Sequence, residues 1–138
     1  MQETVITIGT PAAINNLIRY AARCFDLDTV SISSLGHPQG LDGNHKATAV
    51  ILYAPGLEVP RKQAIEAIQR EFPEALIVVC DSVTRRRDWM GREDSGVFHY
   101  FPLPARLDDI QRSLGFVWAA RMSLPTQVET PAELAAAV

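Results

Sequence analysis

The chain alternates between short apolar runs and longer amphipathic stretches. Residues 47–54 and 75–80 are apolar almost without interruption, which is typical of strands buried on both faces of a parallel sheet. Residues 29–35 and 97–101 mix apolar with polar side chains, as expected of strands at the edges of a sheet. A β-branched run at residues 4–9 opens the chain and stops at a glycine. The pattern therefore predicts five strands.

Three amphipathic stretches predict helices between and after these strands. Apolar side chains recur at helical spacing over residues 11–25, 59–72 and 105–122. Residues 36–46 contain three glycines and a proline and are predicted to form a loop, whereas residues 81–95 are polar and favour at most a weak helical turn. The apolar stripe of the last helix is predicted to consist of Leu107, Ile110, Leu114, Val117 and Trp118.

This order of elements fits two α/β architectures. One is a doubly wound parallel sheet, and the other is a ferredoxin-like βαββαβ fold in which residues 29–35 and 47–54 form a hairpin. A ferredoxin-like sheet has one exposed face, so its strands should alternate, yet residues 48–52 and 76–80 do not. We therefore predict a doubly wound five-stranded parallel sheet of order 2-1-3-4-5, in which the loop at residues 36–46 replaces the second helix.

Composition narrows the class of protein. The 138 residues are the size of one domain, and thirteen Lys and Arg against sixteen Asp and Glu give a net charge of −3, which argues against a nucleic-acid-binding protein. No apolar run reaches the roughly 18–20 residues that cross a bilayer. Two cysteines and the absence of a signal-peptide pattern fit a reduced, cytoplasmic setting. We expect an α/β domain over residues 1–123 and a linker or tail over residues 124–138.

Three stretches resemble the receiver domain of two-component response regulators. Residues 50–56 are similar to the third strand of a receiver and the Pro-Gly of the following loop. Residues 72–82 are similar to the approach to the fourth strand, and residues 103–110 to the Lys-Pro entry into the last helix. The resemblance covers residues 4–122 and implies a receiver fold and a regulatory role in bacterial signal transduction.

The resemblance also implies which positions would carry phosphorylation. A receiver binds Mg²⁺ through two acidic residues after its first strand and is phosphorylated on an aspartate that ends its third strand. A Thr or Ser after the fourth strand and a lysine before the last proline complete the set. At these positions the chain has Gly9 and Thr10, Ile51 or Tyr53, Asp81, and Leu103.

These replacements remove the chemistry of phosphorylation. Phosphoryl transfer to a carboxylate needs the nucleophile itself and a cation that neutralises the phosphoryl oxygens. Neither Ile51 nor Tyr53 can form an acyl phosphate, and no carboxylates follow the first strand. The resemblance therefore predicts a degenerate receiver, or pseudo-receiver, that is not an enzyme and uses no metal or cofactor.

Such a domain would act by binding a protein. In receivers, the face formed by the fourth helix, fifth strand and fifth helix mediates dimerisation or partner docking. Phe116 lies about 180° from Leu107 around the last helix, with Arg112 one turn earlier and His99 or Tyr100 on the adjacent strand. Aromatic residues and arginine are enriched at contact hot spots, so these residues are candidates for binding an effector domain, a partner protein or a second copy. The alternative is that Phe116 is an ordinary exposed apolar residue.

A second hypothesis concerns a nucleotide ligand. Arg85, Asp88 and Trp89 form an R-x-x-D motif followed by an aromatic residue, and such parts can hold a phosphate and stack a base, as in a sensor of cyclic dinucleotides. The structural alternative is a charged loop that packs Trp89 over the sheet.

A third hypothesis is a cysteine phosphatase. Cys80 and Arg86 fit the spacing C-x5-R, in which a thiolate and an arginine hold a phosphate. The loop contains no glycine, and Asp81 lies where the anion would bind, so a buried cysteine at the end of a strand explains the residue better.

Overall fold

A computed structural model of the chain describes residues 2–34, 45–91 and 95–137, with side chains over 2–34, 46–91 and 95–122. Its strands are β1 (Gln2–Ile8), β2 (Asp28–Ile32), β3 (His45–Tyr53), β4 (Leu76–Ser82) and β5 (His99–Leu103). They form one parallel sheet of order β2-β1-β3-β4-β5, which confirms the predicted doubly wound fold. The strands with mixed patterns, β2 and β5, are the two edges.

Four α-helices of the described residues cover the sheet. They are α1 (Ala12–Arg23), α2 (Arg61–Glu71), α3 (Arg86–Met90) and α4 (Leu107–Ala137), and a single 3-10 turn at Val83–Arg85 leads into α3. The buried side chains of α1 and α4 pack on one face of the sheet, and those of α2 and α3 pack on the other.

The central strands explain this layering. Val50 and Leu52 of β3 contact the α2–α3 layer, whereas Ala49 and Ile51 contact the α1–α4 layer, and all four are at most 1% exposed. Full burial of one aliphatic side chain is worth about 1.5–3 kcal/mol, so a strand with two apolar faces is stable only when both are covered. Because both faces of β3 and β4 are covered by helices, apolar side chains are favoured at every position along them.

An ion pair joins the last helix to the first strand. Arg121 of α4 donates from Nε to Oε1 of Glu3 at 2.7 Å, and its Nη2 lies 2.5 Å from the same oxygen. Both side chains are partly buried. The pair fixes α4 where the amino ends of the strands lie.

Several boundaries differ from the prediction. The predicted loop at residues 36–46 falls largely outside the described residues, and His45 and Lys46 belong to β3 instead. The last helix does not end near residue 122 but continues to Ala137, across two prolines. A proline costs a helix a backbone hydrogen bond without always ending it, and the alanine-rich end favours helix. The role of residues 124–138 as a linker stays a prediction.

Trp118 does not join the core stripe of α4. It is 37% exposed, whereas Ile110, Leu114 and Val117 are fully buried. Its ring lies 6.4 Å from that of Phe25, just after α1, so Trp118 covers the seam between the two helices.

Among the described residues, no helix has the length and apolar composition needed to cross a membrane.

Of the three described glycines with positive φ, Gly56 and Gly96 differ in what surrounds them. Gly56, in the turn after β3, has φ +80° and nothing within 4 Å of the place where a Cβ would lie. Gly96, before β5, also has φ +80°, but a Cβ there would lie 2.9 Å from Cγ2 of Ile65 and 2.6 Å from Nε2 of Gln69. Gly96 therefore allows the chain to approach α2 closely.

Gly96→Ala is expected to destabilise the fold more than Gly56→Ala. Both substitutions add backbone strain of about 1–2 kcal/mol. Only Gly96→Ala also forces Ile65 and Gln69 to move, which should cost about a further 1–3 kcal/mol. Urea unfolding followed by circular dichroism measures both losses, and equal losses would contradict the close approach to α2.

Candidate functional site

The carboxyl edge of the sheet is where the strands end and where a receiver would be phosphorylated. The register places Ile8 beside Leu52, Tyr53 beside Cys80, and Ser82 beside Leu103. Gly9, Tyr53, Asp81 and Leu103 therefore lie along one edge of the sheet. Ile51 does not, because it pairs with Thr7 and Val78 inside the sheet and is fully buried. Of the two alternatives for the third strand, Tyr53 is the residue at the edge.

Thr10 is held by the first turn of α1. Its hydroxyl donates to Oδ1 of Asn15, and Nδ2 of Asn15 donates back to the Thr10 carbonyl at 3.1 Å. Asn15 is half-buried in this exchange, a role that the sequence pattern did not reveal because an asparagine on a helix is usually solvated. The polar groups of Thr10 and Asn15, next to the end of β1, are therefore hydrogen-bonded to each other.

Asp81 is an acidic residue of this edge, and both of its oxygens accept hydrogen bonds. Oδ1 accepts from the backbone N–H of Ser82 at 2.7 Å, and Oδ2 accepts from Nε1 of Trp89 at 3.1 Å. Asp81 therefore ties the end of β4 to α3. Within the described ranges, no three His, Cys, Asp or Glu side chains are grouped so that they could hold a metal ion.

Trp89 is part of the core and is not a free stacking surface. It is 4% exposed, and the guanidinium of Arg61 lies 5.9 Å from its ring centre. Asp88 forms ion pairs with Arg85 at 3.5 Å and with Arg61 at 3.8 Å. The predicted nucleotide motif therefore forms a structural cluster that fixes α3 to α2, which is the alternative that the sequence left open.

Cys80 does not have the environment of a catalytic nucleophile. Its side chain is fully buried, and Sγ lies 3.5 Å from the Leu52 carbonyl. Burial and then the negative charge of Asp81 raise the pKa of the Cys80 thiol to about 12. A cysteine phosphatase needs a thiolate near neutral pH, so the phosphatase hypothesis does not fit this geometry.

His99 of β5 lies beside Arg112 and Phe116 of α4, and we call this surface the α4–β5 face. The rings of His99 and Phe116 lie 4.9 Å apart, and Phe116 is 49% exposed. Nδ1 of His99 lies 2.6 Å from Oγ of Ser113, a fully buried residue that the sequence did not single out. This bond fixes the orientation of the imidazole against α4.

Tyr100 lies on the opposite side of the sheet from this face. Successive residues of a strand point to opposite faces, so Tyr100 packs under α3 and is 5% exposed. Its hydroxyl donates a hydrogen bond to the Ser82 carbonyl. The prediction that Tyr100 contributes to the partner-binding surface is therefore wrong, and the residue secures the end of β4.

The charge around His99 is positive. Burial lowers the pKa of His99 below its ordinary value of 6.5, and the positive charges of Arg86 and Arg112 lower it further. Arg86 lies in α3 and Arg112 in α4, so the imidazole lies in the field of guanidinium groups from two elements. His99 is therefore neutral at neutral pH.

Comparison with solved structures identifies the fold as that of response-regulator receiver domains. A response regulator from Thermotoga maritima superposes with a TM-score of 0.67 at 14% identity, over 86% of this chain and 99% of that chain. A Burkholderia thailandensis structure described as a pilus assembly protein, CpaE, superposes with a TM-score of 0.64 at 13% identity, over 86% and 99%. An adenylate cyclase from Rhodopirellula baltica gives a TM-score of 0.68 at 13% identity over the whole of both chains.

At these identities the likeness extends to the fold alone. No protein-family model matches the chain. No curated protein matches it at a significant level either.

The bond between Asp81 and Trp89 is expected to stabilise the fold by about 1–2 kcal/mol. A double-mutant cycle with Asp81→Ala and Trp89→Phe isolates it, because Phe keeps most of the ring while removing the N–H donor. Urea unfolding of the four proteins should give a coupling energy of that size. Strictly additive losses would show that the pair contributes nothing beyond packing.

Acidification is expected to destabilise the protein partly through His99. The folded state lowers the pKa of His99, so the unfolded chain binds the proton more readily, and stability is lost as the pH falls below about 6.5. The free energy of unfolding should therefore fall more steeply between about pH 7 and about pH 5 in the native protein than in His99→Gln. Parallel pH curves for the two proteins would contradict this assignment.

Proposed function

We propose that the chain is a receiver-like regulatory domain that is not phosphorylated and that acts by binding another protein through the α4–β5 face. The observation that carries the proposal is the composition of the carboxyl edge. Gly9, Thr10, Tyr53 and Leu103 stand where a receiver needs acids and a lysine. Among the described residues of this edge, the carboxylate is that of Asp81 on β4, and its oxygens accept hydrogen bonds from Ser82 and Trp89.

The chemistry of phosphorylation supports the first half of the proposal. An acyl phosphate forms when a carboxylate attacks a phosphoryl group whose charge a divalent cation neutralises. Tyr53 carries a phenol instead of a carboxylate, and Gly9 and Thr10 offer no carboxylate oxygens to a cation. Asp81 would have to break its bond with Trp89 before it could take either role.

The composition of the α4–β5 face supports the second half. Phe116 exposes half of its surface beside the half-buried ring of His99, and the Arg112 side chain is 65% exposed. Aromatic rings and arginines that are held in place before binding make effective anchors because less side-chain entropy is lost. The bond from Ser113 holds the His99 ring in this way.

The setting that the comparisons favour is a regulatory domain of a larger bacterial protein. One similar structure is described as a pilus assembly protein, and a second one, from Burkholderia pseudomallei, as pilus assembly-related. Pilus assembly is therefore a candidate process for this chain. Counting pili on cells that lack the chain tests that setting directly.

The chain is expected to remain unmodified when it is incubated with acetyl phosphate and Mg²⁺. Intact-mass spectrometry should show no added phosphoryl group, and beryllofluoride with Mg²⁺ should leave the amide NMR signals of Tyr53 and Asp81 unshifted. A phosphorylatable receiver domain in the same reaction is the positive control. A phosphorylated Asp81, or a beryllofluoride-dependent shift at either residue, would refute the loss of phosphorylation.

A further inference from the structure

A groove of about 770 Å³ lies between α2, α3 and the segment that leads into β5. Part of its lining is apolar and consists of Ile65 of α2, Trp89 of α3 and Val97 before β5. Cavities that bind small molecules have volumes of about 300–1,000 Å³ and combine apolar walls with a few polar groups. The groove therefore has the size of a binding site for a small molecule.

Cations outnumber carboxylates in the described lining of this groove. The cations are Arg61 and Lys62 of α2 and Arg87 of α3, and the carboxylates are those of Glu66 and Asp88. The described lining is therefore positive, whereas the whole chain has a net charge of −3. A concave surface of one sign attracts ligands of the opposite sign, so the groove favours an anion.

Contacts within the protein reduce the negative charge of this lining further. Asp88 lies 3.8 Å from Arg61 and 3.5 Å from Arg85, so two guanidinium groups share one carboxylate. The guanidinium of Arg61 also lies 5.9 Å from the centre of the Trp89 ring. Asp88 is therefore engaged inside the cluster that joins α3 to α2, and it does not neutralise the other cations of the groove.

Lys62 and Arg87 are the cations that remain available in the groove. Both are exposed, and within the described part of the chain neither forms an ion pair, although Glu66 lies one helical turn after Lys62. Lys62 also lies in the first turn of α2, which contains no acidic residue and no side-chain cap. The helix dipole disfavours a cation at this end, so a bound anion would offset that repulsion.

We infer that the groove between α2 and α3 binds a phosphorylated small molecule of nucleotide size. Its phosphate pairs with Lys62 and Arg87, and its flat apolar part packs against Ile65 and Val97. Lysine and arginine both bind phosphate, and arginine can do so through two parallel hydrogen bonds. The groove lies on the other side of the sheet from the α4–β5 face, so this inference does not depend on the protein-binding function proposed above.

The residues of this site differ from those of the R-x-x-D motif. Arg85, Asp88 and Trp89 bond within the protein and form the structural cluster described above. Lys62 and Arg87 lie far apart in the sequence and share a site only because α2 packs beside α3. A search for short motifs therefore could not find them as a pair.

The test is an NMR titration of the isotope-labelled full chain with nucleoside mono-, di- and triphosphates. Inorganic pyrophosphate and uncharged nucleosides are titrated for comparison. We expect at least one nucleotide to shift the amide signals of Lys62, Ile65 and Arg87. Pyrophosphate should bind more weakly because it lacks the apolar part, and nucleosides should bind more weakly because they lack the phosphate. Raising the salt from about 0.05 to about 0.5 M should weaken nucleotide binding.

Four substitutions test the assigned cations. Lys62→Gln and Arg87→Gln should each weaken nucleotide binding about three- to tenfold, since each removes a charge-assisted contact with the phosphate. Arg70→Gln in α2 and Arg86→Gln in α3 are the matched controls, because both arginines are exposed and neither lines the groove. The controls change the net charge equally and should leave the affinity nearly unchanged. Circular dichroism checks that all four variants keep the fold.

Several results would overturn this inference. One is that no nucleotide binds, and another is that the shifted signals lie outside the groove. Equal losses in Arg87→Gln and Arg86→Gln would show a general effect of charge instead of a site. Pyrophosphate or nucleosides that bind as tightly as the nucleotides would remove the apolar or the phosphate half of the assignment. None of these results bears on protein binding at the α4–β5 face, which lies in the opposite layer.

Discussion

The burial of β3 and β4 on both faces is the constraint on which the rest of the structure depends. Parallel strands that are apolar on two sides must be covered by two layers of helices, and α1 and α4 on one face and α2 and α3 on the other supply them. Parallel strands also end together, so the residues that follow β1, β3, β4 and β5 gather at one edge whatever their chemistry. The fold therefore brings the strand ends together at the carboxyl edge of the sheet, whichever residues are found there.

What fills that edge in this chain is a set of structural bonds. Thr10 with Asn15 and Asp81 with Trp89 join strand ends to the adjoining helices, and the Tyr100 hydroxyl joins β5 to the Ser82 carbonyl at the end of β4. In the described part of this edge, these polar groups are satisfied by each other. A surface with exposed aromatic and charged groups is the α4–β5 face, where the strand order places an edge strand beside a long helix.

The sequence predicted the sheet because its signal is physical and local. Uninterrupted apolar runs identify β3 and β4, and the 100° spacing in α4 correctly turned Phe116 outward and Ile110 inward. Local signals could not decide between Ile51 and Tyr53, because the end of a strand is set by its register with neighbours. They missed the burial of Tyr100, whose hydroxyl bonds to Ser82, a residue that is its partner in space and not in sequence. They also could not show that α4 continues past Pro125.

The ion pair of Arg121 with Glu3 has a consequence for how this domain can be connected. At Arg121 it brings the final helix to the start of β1, where the amino ends of the strands are, and α4 runs on from there to Ala137. A unit fused before β1 or after α4 would therefore attach on the side remote from Tyr53 and Asp81. Either fusion would leave the carboxyl ends of the strands unobstructed, and the domain could be moved between larger proteins, at either terminus, without being redesigned.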